Sequence, residues 1–422
     1  MTYRPNNIFY AAGPDLWGTF RIAVTLTEAV DPQALRHAAE RAAERFPYFA
    51  VRLIRRGEEY VLEDNPLPFV ISEEGWAAEL GSKESNYHLF AFAWDGRRIY
   101  MDASHFMTDG NGCFPFLKSL LYYYLSYVHP EESFDLSGIA LAGSKISPEE
   151  ADDYPYPEQP LESEPLGTAE RPEEIFELPD QPKGYDGMDG WTSFLFSLRQ
   201  REMMSFVSGV DGSPATFMAS LMYKAITACH PGEHLPVVCG MQHQFRSALG
   251  KPESHMCHIN IVPMVYPDRL RNRDIEMLNT IGRGILILNA DDASDTLTVN
   301  RHIENESRIK SMTLAEKRRF MRREVLDGIG KNTFEVSYTG HVDWSGLDRY
   351  IVNVIPYFDL SLSGGLSIEV FSVGEVFCVN VMQRNGDTKY VDAFSRMLEK
   401  CGISHATYDP EHFLLSRCRL PE

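Results

Sequence analysis

The sequence predicts an α/β protein of two similarly ordered halves, with helices layered on sheets rather than a barrel or a helical bundle. Three observations carry this. A length of 422 residues suits two domains of roughly 200 residues each. Strand-like and helix-like segments alternate along most of the chain. One stretch, residues 145–190, breaks that pattern: it holds eight of the 25 prolines, and fourteen acidic residues against three basic ones. Proline density and self-repelling charge deny it a core of its own, so it reads as an extended linker between residues 1–144 and 191–422.

In the first half, Thr19-Phe-Arg-Ile-Ala-Val-Thr-Leu predicts a strand. A helix follows at Asp31-Pro32, where Asp caps the free amides and Pro suits the first helical position. Leu35, Ala38, Ala39, Ala42 and Phe46 keep one face of it, and Pro47 ends it. The half closes with a strand at 98–104, a loop from His105 to Gly112 and a helix at 113–128. The second half opens with a strand at 193–198 and helical segments at 201–207 and 214–228. Strands are then expected at 235–241, 258–265, 333–339, 351–355 and 366–371, with helices at 275–289, 297–309 and 314–326. It closes as the first half does, with strand 376–382, loop 383–387 and helix 388–401. The first closing loop carries His, Asp and Gly, whereas the second, Gln383-Arg-Asn-Gly-Asp, has no histidine. This is the pattern of a diverged duplication in which one copy kept the reactive loop.

Composition narrows the function classes. An apolar fraction of 44% and an aromatic fraction of 12% supply a large core. No apolar run approaches the roughly 20 residues of a membrane span. Met1-Thr-Tyr-Arg-Pro-Asn-Asn lacks the basic-then-apolar order of a signal peptide. Seven scattered cysteines, an odd number, read as thiols in a reducing compartment, so a cytoplasmic protein is expected. A net charge of −20 opposes general nucleic-acid binding, though it permits a small anionic ligand at a local basic patch.

The chemistry concentrates in His105-Phe-Met-Thr-Asp109-Gly110, after a strand and before a helix. Loops mounted on strand ends are where catalytic groups collect. An imidazole with a near-neutral pKa can take a proton from an alcohol or amine. Asp109 can fold the loop or fix the imidazole, and Gly110 permits a tight turn.

The block Met101-Asp-Ala-Ser-His-Phe-Met-Thr-Asp-Gly-Asn-Gly-Cys-Phe-Pro-Phe-Leu-Lys-Ser-Leu-Leu resembles the signature region of the chloramphenicol-acetyltransferase-like superfamily. That group includes peptide-synthetase condensation domains, plant BAHD acyltransferases and alcohol O-acetyltransferases, and its signature is often His-His-x-x-x-Asp-Gly. In its order of two linked halves the chain most resembles the bacterial stand-alone, alcohol-acetyltransferase-like members. The resemblance implies two α/β sandwich halves with one active site in the cleft between them. It also implies acyl-coenzyme A as cosubstrate, a small-molecule alcohol as acceptor, and neither a metal nor an acyl-enzyme.

Carried to this chain, the resemblance makes His105 the general base and Asp109 a carboxylate turned from the substrate toward an arginine. Gly110 becomes the small residue that keeps the tunnel open. Ser104 stands where many members have the first histidine. Arg246, ending Gly240-Met-Gln-His-Gln-Phe-Arg, is the candidate partner of Asp109, the alternative being a solvated arginine. Phe334-Glu-Val-Ser-Tyr-Thr-Gly340 resembles a strand ending Ser-Asn-x-Gly, which makes Ser337 or Tyr338 the candidate oxyanion donor, with Tyr338 replacing Asn.

The basic run containing Arg318, Arg319, Arg322 and Arg323 stands out in an acidic chain. It reads either as a solvated helix face or as a patch for coenzyme A phosphates. His255-Met-Cys257-His258, with Cys239 and His243 upstream, lacks metal-site spacing, so no metal is expected. Gly282-x-Gly284 falls inside an expected helix without the rest of a dinucleotide fingerprint. Two rival functions remain: an amide-forming condensation enzyme fed by a carrier protein, and a non-catalytic ligand-binding relative.

Overall fold

The computed structural model describes residues 2–13, 16–151, 156–157, 159–166, 170–181, 190–329, 332–360 and 365–421. The first part runs β1 (Thr2–Tyr3), β2 (Thr19–Leu26), α1 (Pro32–Arg45), β3 (Val51–Arg56), β4 (Glu59–Asp64), β5 (Ile71–Ser72), β6 (Phe90–Asp95), β7 (Arg98–Ser104) and α2 (Gly110–Val128). After residue 190 come β8 (Trp191–Arg199), α3 (Gln200–Gly209), α4 (Pro214–Cys229), β9 (Val237–Gln244), β10 (Ile259–Tyr266), α5 (Ile275–Asn289), α6 (Asp292–Ile309) and α7 (Leu314–Ile329). The chain ends with β11 (Phe334–Tyr338), β12 (Ile351–Phe358), β13 (Leu366–Val373), β14 (Val376–Gln383), α8 (Lys389–Lys400), β15 (His405–Thr407) and β16 (Glu411–Phe413).

Two large mixed sheets form the frame. One has the order β10-β9-β11-β13-β14-β8-β15, with β16 also on β8, and its core lies against α3, α4, α5 and α8. The other has the order β12-β2-β7-β6-β5 and carries α1 and α2. Its edge strand β12 comes from the second half and runs antiparallel to β2, from Ile351 opposite Leu26 to Phe358 opposite Phe20. A small β1-β4-β3 sheet flanks it.

Local chemistry sets the element ends. The Asp31 carboxylate accepts from the amides of Gln33 and Ala34 at 2.8 and 3.1 Å, which starts α1. α1 then buries Leu35, Ala38, Ala39 and Ala42, the face its apolar spacing marks out. α2 begins at Gly110, three residues before the expected start, because Asp109 caps it by accepting from Gly112 N at 2.9 Å. α6 starts at Asp292 rather than 297 for the same reason, with Asp291 accepting from Ser294 N at 2.8 Å.

The stretch 145–190 has neither helix nor strand among its described residues; 152–155, 158, 167–169 and 182–189 lie outside them. Its few apolar residues pin it down. Phe176 and Leu178 are buried in the second core, and Phe176 N donates to Pro236 O at 2.8 Å. Tyr156 stacks on His302 with ring centres 5.0 Å apart. No helix among the described residues is long and apolar enough to cross a membrane.

Candidate active site

β7 delivers the chain to His105, whose amide donates to Gly18 O at 2.7 Å. The imidazole stands edge-on between Phe20 and Phe358, with ring centres 5.2 and 5.1 Å away. Its Nδ1 lies 3.6 Å from Cys257 Sγ, and the ring also hydrogen-bonds its own main-chain carbonyl. Nδ1 is the ring nitrogen able to fold back to that carbonyl, so with its proton there Nε2 keeps the lone pair. Burial pulls the His105 pKa below its ordinary value; Asp109, the carbonyl and Asp359 oppose this without overcoming it. The ring is therefore neutral at pH 7, the state a base requires.

His105 opens onto a cavity of about 470 Å³. Ile8, Gly18 and Phe106 of the first half line it, facing Gln242, Glu335 and Asp359 of the second.

Asp109 points away from the ring. Arg246 Nη2 donates to both of its oxygens at 2.8 and 2.7 Å, and His258 N donates to Oδ2 at 3.0 Å. Asp109 and Arg246 are 1% and 4% exposed, so this is a buried pair. Burial alone would raise the Asp109 carboxyl, but the Arg246 charge and the hydrogen bonds outweigh it and hold the pKa below its usual range. Arg246 is itself anchored, with Nε on Ser254 O and Nη2 on Met256 O, both at 2.7 Å.

Residues 254–258 thus wrap the reactive loop. Thr108 Oγ1 donates to His255 O at 2.7 Å, and Cys257 N donates to Met107 O at 3.1 Å. In the sequence this string stands out only as a metal-like motif, and its clamping role is not legible there. No spacing rule could have found it, since five of its contacts are made by main-chain atoms. Among the described residues no three His, Cys, Asp or Glu are grouped as a metal site would need, and His243 is engaged with Asp295 at 2.8 Å.

The glycines of the loop differ in what they protect. A Cβ on Gly110 would sit 3.3 Å from the Thr339 methyl, whereas one on Gly112 would sit 2.2 Å from His255 O. A clamped carbonyl cannot step aside. Gly112→Ala is therefore expected to lose about 1–3 kcal/mol in urea unfolding, the usual range for overpacking, and Gly110→Ala less.

Other expected site residues lie elsewhere. Ser337 hydrogen-bonds Glu369, and Tyr338 packs edge-on against Phe377 at 6.0 Å; neither lines the 470 Å³ cavity. The next residue, Thr339, lines a second hollow of about 250 Å³ with Gly110, Lys118 and His341. Arg318 and Arg322 donate to Ala12 O and Ala11 O at 3.2 and 3.4 Å, while Arg319 and Arg323 are exposed. None of the four lines the cavity, to which α7 turns Met321, Glu324, Val325 and Asp327. The arginines on its wall are instead Arg171 and Arg301.

No family model matches the chain, and no curated protein matches it. Solved structures do. F. graminearum TRI101, crystallised with coenzyme A and deoxynivalenol, superposes with a TM-score of 0.62 at 11% identity, over 96% of this chain and 99% of that one. Polyketide synthase associated protein 5 from Mycobacterium tuberculosis gives 0.58 at 12% identity, over 95% and 96%. The starter condensation domain of rhizomide synthetase, crystallised with C8-CoA, gives 0.54 at 14%, over 95% and 94%. The fold is the chloramphenicol-acetyltransferase-like one. The two sheets described above make up its two sheet-rich parts, with β12 crossing from the second half of the chain into the first sheet. Ser104, which precedes His105, is buried and donates toward Cys418 Sγ at 3.7 Å.

Proposed function

We propose that the chain is an acyl-coenzyme A-dependent O-acyltransferase with His105 as general base. The carrying observation is a neutral histidine, fixed by its own carbonyl, facing a cavity walled by both halves. His105 Nε2 takes the proton of an acceptor hydroxyl as its oxygen attacks the thioester carbonyl. The tetrahedral intermediate then collapses, the C–S bond breaks, and the imidazolium returns the proton to the departing thiolate. An ester and free coenzyme A result. Asp109, Arg246 and residues 254–256 and 258 hold the loop rather than touch the substrate, while Cys257 also lines the cavity. Coenzyme A and C8-CoA bound in proteins of the same fold support this donor class.

We place the acceptor in the larger cavity and the donor at the Gly110 hollow. Four carboxyl groups against two arginines on the larger wall (Glu324, Asp327, Glu335 and Asp359 against Arg171 and Arg301) disfavour a polyphosphate, whereas the hollow sets Lys118 and His341 against one acid, Asp343. The rival donor path runs along the arginines of α7. Lys118→Gln should raise the donor Michaelis constant on the first path, and neutral variants of Arg318, Arg319, Arg322 and Arg323 should raise it on the second. The oxyanion role of Ser337 or Tyr338 depends on a thioester carbonyl reaching past the cavity wall.

The deciding experiment is thiol release from acetyl-coenzyme A across a panel of alcohols and amines. Thiol release with alcohols and ester formation are expected. Turnover only with carrier-bound acyl groups would favour the condensation reading, which the condensation-domain neighbour keeps in play. The acid limb of kcat/KM should also fall at a pH below about 6.5, the ordinary histidine value, because burial depresses the free enzyme's base.

A further inference from the structure

The acids on the cavity wall are unusual in their depth. Asp359 is 3% exposed and Glu335 is 1% exposed, and neither has a part in the proton transfer above. Glu335 stands at the start of β11, where Asn332 Nδ2 donates to it at 3.2 Å and Gln242 also hydrogen-bonds it. Asp359 follows β12, accepts from Gly18 N at 3.2 Å and is near enough to act on the His105 charge. One strand over, Glu369 lies opposite Ser337, on the same face of the sheet as Glu335. It is buried and accepts from Ser367 Oγ at 3.0 Å.

The positive charge on this wall is smaller. Arg171 acts on Glu335 and is half-buried, while Arg301 is exposed and leans on Asn260 at 3.4 Å. His302, the cavity's other histidine, is pushed down to about 4 by burial and is neutral. α7 adds Glu324, which has Arg323 4.0 Å away, and Asp327, so among the described lining residues there are four acids and two arginines. Carboxyls buried at the wall of a ligand cavity can meet a cation that enters it, which neutral amides in the same places could not do.

We infer that the acceptor taken up beside His105 carries a protonated amine, held by Asp359 and Glu335, in addition to the hydroxyl that is acylated. This deepens the acyltransferase reading and rests on it for the location of the acceptor. Burial lifts Glu335 to about 7 and Glu369 to about 8. An ammonium group near Glu335 favours its ionised form, so uptake below pH 7 releases a proton from the carboxyl. As pH rises through 7 the carboxyl ionises while an alkylammonium stays charged. Preference for the cation should therefore strengthen from pH 6 to pH 8.

The probe is aminohexanol against neutral hexanediol, with acetyl-coenzyme A as donor. The expected result is a Michaelis constant roughly ten- to hundredfold lower for the amino alcohol at pH 8, the worth of a charge-assisted hydrogen bond. The product should be the O-acyl ester. Glu335→Gln and Asp359→Asn should each shrink that ratio toward one. Equal constants, a preference for the diol, an N-acylated product, or a ratio untouched by both substitutions would overturn the inference. If no probe releases thiol, the acyltransferase reading fails separately. Calorimetric binding of the two probes to the unmodified protein then still decides the inference: tighter aminohexanol binding at pH 8 supports it, and equal or absent binding overturns it.

Discussion

His105→Ala should lower kcat/KM for thiol release by about 10²- to 10⁴-fold, the range a positioned general base supplies. Its thermal transition should stay close to that of the parent. The side chain sits at the wall of an existing cavity, between two aromatic edges, and its ring bonds are to its own carbonyl and, weakly, to a thiol. Truncation therefore widens a space that is already open and leaves no packed partner stranded. Thermal unfolding followed by circular dichroism, alongside a single-turnover thiol assay, separates the two effects. Turnover retained in the variant would remove the base from the mechanism.

Asp109→Asn should behave in the opposite way, losing stability as well as activity. Arg246 would be left buried with its charge uncompensated, and breaking such a pair typically costs about 3–5 kcal/mol. Arg246→Met in the same chain should recover part of the loss, since removing both charges ends the penalty of an unpaired one. The pH dependence follows from the depressed carboxyl. In the unfolded chain an aspartate titrates near 3.9, and in the folded chain Asp109 titrates lower. Its stabilisation is complete at pH values well above 3.9 and is lost as pH falls through the lower folded value. Denaturation profiles of the parent between pH 7 and pH 3 should show a loss of stability at the acid end that the Asp109→Asn variant lacks. Equal acid sensitivity in both would argue that Arg246 does not hold this charge.

The parts of the fold legible in the sequence are those with a strong local signature. The strand at Thr19–Leu26 and the helix after Asp31 were readable because alternation, caps and a terminating proline act over a few residues. The β3–β4 hairpin and β6 were not among the expected elements. β6 is buried along most of its length, so it lacks the polar alternation that marks a half-exposed strand. The site divides in the same way. His105, Asp109 and Gly110 lie within six residues, and the placement of Arg246 beside Asp109 was suggested by resemblance. Glu335, Asp359 and Arg171 come from separate segments and meet only through the sheets, so no window of sequence contains them together. The α7 cations were conspicuous for the converse reason: a charge run is visible in sequence, whichever way its helix turns.

The crossing of β12 into the first sheet has a consequence for synthesis. Residues 1–144 leave the ribosome with β2 paired to β7 on one side and lacking β12 on the other, and β12 ends only at Phe358, more than 200 residues later. At about 5–20 residues per second, the edge of β2 waits on the order of 10–40 s for its partner. The open edge of a strand whose residues are all buried in the finished fold is a template for association with other chains during that interval. Vectorial folding of this protein cannot be completed half by half. An isolated 1–144 fragment should accordingly aggregate, and adding the 191–422 fragment during refolding should restore solubility by donating the strand in trans.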